Sequence, residues 1–162
     1  MSFILNGFVV LLSILFLNSA LAESEGLNQG ERITCKHSSN RLNCVKFVDN
    51  YDGDSITFNI KGVHPIIGNH MKIRVNGVDT AEKRTSNWCE KEVANRAQSL
   101  VHERLSKAKR IDLVNIGRGK YFRIVADVIF DGQSLSDMLV QNGYAYKYDG
   151  GTKPVTDWCL VL

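Results

Sequence analysis

Three observations predict a mainly β fold with added helices, of the α+β class and in the order βββαββα. Three stretches between Leu42 and Val75 have the alternation or residue content of strands, with turn formers between them. The apolar period then lengthens to that of a helix, and two more strand-like stretches and a short helical one follow. Finally, 162 residues with 44% hydrophobic and 23% charged residues suit one soluble globular domain, and two prolines with no biased tract exclude a disordered or collagen-like chain.

The first strand is expected over Leu42 to Val48, which is β-branched and aromatic in content. Asn50-Tyr51-Asp52-Gly53-Asp54 is a dense turn signal, and Ser55 to Ile60 then places Ile56, Phe58 and Ile60 on one face, making a hairpin. After a loop with Gly62, Pro65 and Gly68, Met71 to Val75 turns Met71, Ile73 and Val75 inward. From Asn87 to Ala108, the residues Val93, Ala97, Leu100, Val101, Leu105 and Ala108 recur at helical spacing and predict one amphipathic helix. Strands over Arg110 to Ile116 and Tyr121 to Phe130 follow, closed by an Asp131-Gly132 turn. Ser134 to Asp137 resembles a capping box, Leu135, Met138 and Leu139 give a short apolar face, and Gly143 is a good stop. Five strands with a helix after the third is the order of an OB-fold, a partly open barrel that commonly binds oligonucleotides or oligosaccharides.

Residues 1–22 carry no Lys, Arg, Asp or Glu, and Phe8 to Leu17 is a continuous apolar run. Ala20-Leu21-Ala22 has the small-x-small pattern of a cleavage site, so this segment reads as a signal peptide removed after Ala22. The competing reading is an uncleaved membrane anchor. Residues 23–41 form a polar arm, 42–148 the domain, and 149–162 a C-terminal tail. An exported protein, periplasmic or secreted and without stable membrane association after cleavage, is the expectation.

Four cysteines, Cys35, Cys44, Cys89 and Cys159, all follow the leader, and an even number in an exported chain reads as two disulfides. Three pairings are possible; Cys35 with Cys44 would close a short loop and leave Cys89 with Cys159. Zinc ligation is disfavoured, since no C-x2-C or H-x3-H spacing exists. Charge is uneven: the segment from Lys83 to Arg123 holds eleven Lys or Arg against four acids. Such a concentration attracts polyanions, nucleic acid first among them, although a solvated helix face would look the same.

Asp54, in the hairpin turn, and Asp79, after the third strand, lie where neighbouring strands bring them close, and their oxygens suit Ca2+ or Mg2+. Arg74 and Arg123 stand on otherwise apolar strands, where an arginine is costly unless it meets an anion. With Glu82 nearby, these residues suggest a phosphate site, because guanidinium forks match phosphate oxygens.

The segments VDNYDGDSITFNI (Val48 to Ile60), IRVNGVDTAEKR (Ile73 to Arg84) and KYFRIVADVIFDGQSLSDMLVQNGYA (Lys120 to Ala145) resemble the staphylococcal nuclease-like, or thermonuclease, family. The resemblance implies an OB-fold carrying a Ca2+-dependent phosphodiesterase that acts on DNA and RNA; a monomer is the separate expectation. It assigns Asp54, Asp79 and the Thr80 carbonyl as Ca2+ ligands and Glu82 as the base for the attacking water. Arg74 and Arg123 become the groups that hold the phosphate and stabilise its transition state, and Lys120 and Tyr121 contacts to the nucleotide. Departures are Ala81 where the family usually has Pro, Ser55 for Thr, and Phe122 for the Gly before the arginine. A catalytically silent module that binds nucleic acid or a protein partner is the alternative, although none of the five key side chains is missing.

Overall fold

The structure is a computed structural model, and it describes residues 34–162. The leader, its cleavage site and residues 23–33 of the arm lie outside the described residues. No helix among the described residues is long and apolar enough to cross a membrane.

The first predicted strand is broken in two, β1 (Arg41–Leu42) and β2 (Lys46–Asn50). The break falls at Cys44, whose φ of 55° is left-handed and incompatible with a continuing strand. Cys44 is bonded there to Cys35. The hairpin partner β3 (Ser55–Asn59) follows the expected turn, and β4 (Met71–Val75) comes after a four-residue helix, α1 (Pro65–Gly68), that the sequence reading took for loop. His64 caps this helix by accepting from the Ile66 N–H, and Pro65 opens it.

A three-residue strand, β5 (Val78–Thr80), leads to the long helix α2 (Trp88–Lys107), whose predicted end residues Asn87 and Ala108 are its caps. Asn87 Oδ1 accepts from the Glu90 N–H at 3.1 Å. Strand β6 (Ile111–Arg118) is longer than expected, whereas β7 (Ile124–Phe130) starts three residues late. Tyr121 and Phe122, expected to open β7, both have φ of 58° and form a 3-10 turn instead. A two-residue strand, β8 (Gln133–Ser134), precedes α3 (Leu135–Gln141), where the Ser134 hydroxyl caps the Asp137 N–H as the capping-box pattern suggests. Last comes β9 (Ala145–Lys147), paired with β5, and a 3-10 turn over Trp158–Val161.

The main sheet runs β1-β6-β7-β4-β3-β2, with β8 on β7. Only β4 and β7 are parallel, and the other pairs are antiparallel. The result is an OB-like, β-rich α+β fold whose ladder does not close into a barrel, since its edge strands β1 and β2 are not paired with each other. Ile56, Phe58, Ile73, Val75, Leu113 and Val128 from the sheet pack against Ala97, Val101 and Leu105 of α2 and Leu135 and Leu139 of α3. A smaller cluster of Ala81, Val93, Ala94 and Trp158 ties the C-terminal tail to the first turns of α2. The Cys89 to Cys159 bridge sits beside it. These are the two pairings that the loop-closure reading named.

Candidate active site

The hairpin turn is built to hold one carboxylate inside the protein. Asp52 Oδ1 accepts from the backbone N–H of Asp54 at 3.0 Å and of Ser55 at 2.6 Å, fixing the turn through its own side chain. Gly53 is required by close approach, because a Cβ there would lie 2.8 Å from Thr80 Cγ2 and 3.1 Å from the Ala97 Cβ. Asn50 and Gln98 exchange side chain to backbone hydrogen bonds, both at 3.0 Å, and so lash the turn to α2. Asp54 is left with no exposure, its Oδ2 accepting from both the N–H and the hydroxyl of Thr80 at 2.9 Å.

Arg74 sits opposite Ser55 in the β3/β4 register. One of its terminal nitrogens donates to Asp54 Oδ1 and the other to Asp79 Oδ1, so a single guanidinium spans both carboxylates. Asp79 lies opposite Tyr146 in the β5/β9 register, and the Tyr146 hydroxyl donates to Asp79 Oδ2 at 2.6 Å. Lys153 Nζ, from the tail, is 2.8 Å from the same oxygen and 2.9 Å from Glu82 Oε1. Glu82 is otherwise half-exposed on the loop before α2, with its N–H donated to Glu90 Oε1 at 3.2 Å.

The two carboxylates are tuned in opposite directions. Burial dominates at Asp54 and pushes it up to about 7, against the lowering effect of Arg74 and the Thr80 hydrogen bonds. At Asp79 burial also works upward, but the hydrogen bonds from Lys153 and Tyr146 and the charge of Arg74 outweigh it and hold the carboxyl below its usual range. Between 3.8 and about 7 the folded, cation-free protein thus holds a proton on Asp54 that the unfolded chain has lost. Its stability falls as pH rises through that window, whereas the contribution of Asp79 is lost only below it. Urea midpoints measured in EDTA should decline from pH 4.5 to pH 7, and Asp54→Asn should flatten the decline. Identical slopes in both proteins would refute the placement of that proton.

A groove of about 680 Å³ opens over this cluster. Arg74, Asp79, Glu82, Lys120, Arg123 and Lys153 line it, together with Arg118, so the structure gathers most of the residues singled out from sequence. Arg123 is exposed and has no side-chain hydrogen bond or ion pair among the described residues, which leaves its fork available to a ligand. Asp54 and Thr80 do not line the groove: both are buried beneath it, and Thr80 faces a smaller adjoining pocket of about 220 Å³. Tyr121 is 89% exposed and turned out of the groove, beside Phe122 at 87%. The left-handed φ at Phe122 explains why a glycine there would be the easier choice. No α2 residue lines the groove, and two of the basic residues of the helix are paired on its own surface, Arg96 with Glu92 and Lys107 with Glu103.

Sequence reasoning missed Tyr146, Arg118 and Lys153, and it read Asp52 as a turn former, the role that its bonds to Asp54 and Ser55 give it. The alternating Tyr144, Tyr146 and Tyr148 are a strand signal that could have exposed Tyr146. Lys153 has no pattern around it at all. For Ca2+, the donors are of the right kind, hard carboxylate and carbonyl oxygens, and one guanidinium already draws Asp54 and Asp79 together. Among the described residues no group of three or more His, Cys, Asp or Glu could hold a metal ion, so such a cation would rest on two carboxylates, a carbonyl and solvent.

A comparison with protein families matches residues 72–157 to the family described as staphylococcal nuclease homologue. No curated protein matches the chain.

Proposed function

The chain belongs to the family of staphylococcal nuclease homologues, a family of nuclease type, and from that premise we propose that it is an exported, Ca2+-dependent phosphodiesterase cleaving DNA and RNA. The observation that carries the reading is the one groove in which Arg74, Arg123 and Lys120 face Glu82 and Asp79. Asp54, Asp79 and the Thr80 carbonyl would hold Ca2+, which when bound supplies positive charge against the phosphate and the attacking oxygen.

The protein side chains do the rest. Glu82 takes the proton of the attacking water on its carboxylate. Arg74 has given one N–H of each terminal nitrogen to a carboxylate and directs those remaining at a phosphate oxygen. Arg123 offers its whole fork to the charge that grows on the phosphoryl oxygens. The two disulfides suit an oxidising compartment, and the protein is taken to act there as a monomer without membrane association.

Cleavage of plasmid DNA and of RNA in Ca2+, abolished by EDTA, is the expected assay result; binding of both without cleavage would favour a silent module. Substrate affinity should follow the groove rather than the helix. Arg118→Gln and Lys120→Gln should each reduce the slope of log affinity against log salt by roughly 0.7 to 0.9. Neutralising Arg104, Lys107 and Lys109 should leave it unchanged. The reverse result in anisotropy titrations would move the binding surface onto α2.

A further inference from the structure

Lys153 lies on a stretch of tail, residues 149–157, with no helix or strand. The stretch is fastened at both ends. At its start the Tyr148 N–H donates to the Gly77 carbonyl at 3.0 Å, and Lys120 Nζ donates to the Gly150 carbonyl at 3.0 Å. At its end Trp158 is buried and Cys159 is bonded to Cys89. Between these anchors the Lys153 ammonium sits on Asp79 Oδ2 and Glu82 Oε1, on the boundary shared by the large groove and the smaller pocket.

Both oxygens of Asp79 are therefore engaged, Oδ1 by Arg74 and Oδ2 by Tyr146 and Lys153. Arg74, with a side chain only 19% exposed, and Tyr146, opposite Asp79 in the β5/β9 register, are packed into the fold. Lys153 is half-exposed, on a flexible four-carbon stem, and is the partner that can leave. We infer that Lys153 is the displaceable cation of this carboxylate cluster, beside the more buried Arg74, and that its ammonium, placed on Asp79, sets how tightly the site binds a divalent cation. The inference rests on the assignment of Asp79 as a metal ligand. A divalent ion must displace the ammonium or bear its repulsion at close range, and displacement also releases Glu82 from its lysine.

The test is Ca2+ binding itself, by calorimetry on the full disulfide-bonded chain, with Tb3+ luminescence as a second probe. Lys153→Met and Lys153→Gln should both bind Ca2+ about tenfold or more tightly than wild type, and Lys153→Arg should stay near the wild-type value. Circular dichroism checks that each variant folds, and the exposure of Lys153 makes two independent misfolded variants an unsuitable explanation. Unchanged or weaker binding in both neutral variants, with wild type still binding Ca2+ and Asp79→Asn losing it, overturns the role of Lys153 and leaves the metal assignment standing. Equal binding by wild type and Asp79→Asn overturns the metal assignment, and this inference with it.

Discussion

Replacing Glu82 by Gln should lower turnover on single-stranded DNA by about 10² to 10⁴-fold while substrate affinity stays within a few-fold of wild type. The substitution keeps size and polarity but removes the only proton acceptor proposed for the attacking water. It should fold normally, since Glu82 is half-exposed and outside both apolar clusters. Arg123→Lys belongs to the same test. It retains a charge in the groove but loses the planar fork, so turnover should again fall strongly with modest change in binding. Single-turnover cleavage and anisotropy binding, run on the same preparations, separate the two effects. Well-folded variants that both kept near-wild-type turnover would end the proposed mechanism.

Loss of the Cys89 to Cys159 bridge should be the costliest change to stability outside the core. It joins residues 70 apart, and in the chain-entropy model closing such a loop is worth about 4 kcal/mol, against about 2.5 kcal/mol for the Cys35 to Cys44 loop with its separation of 9. Urea unfolding of Cys89→Ala/Cys159→Ala should show that loss, and Cys35→Ala/Cys44→Ala a smaller one. A loss below about 1 kcal/mol in the first variant would mean that Trp158 and its neighbours hold the tail unaided.

Where an element is governed by its own residues, the sequence foretells it closely. The period of α2, its Asn87 cap, the Ser134 cap of α3 and the alternation in β3 and β4 are local properties, and each lands within a residue or two. Misplaced elements are those decided by distant contacts. β5 and β9 exist because they pair with each other across more than sixty residues, and the start of β7 is set by a left-handed turn that its aromatic residues do not advertise. The site divides in the same way. Acids and arginines at strand ends were legible because charge in an apolar alternation is conspicuous. Lys153 was not, since a lysine in a polar tail looks ordinary until the tail is seen to fold back over Asp79.

The bond between Cys89 and Cys159 also imposes an order in time. In a chain made from its N-terminus, Asp54, Arg74 and Asp79 leave the ribosome well before Tyr146, Lys153 and Cys159. The first bridge can close once Cys44 has emerged, whereas the second waits for nearly the whole described chain. A nascent chain thus holds two carboxylates and one guanidinium with neither the lysine nor the β9 wall around them. Tyr146 and Lys153 reach the carboxylates only with the segment that leads to Cys159, so the bridge that fastens the tail also fixes the last side chains of the site.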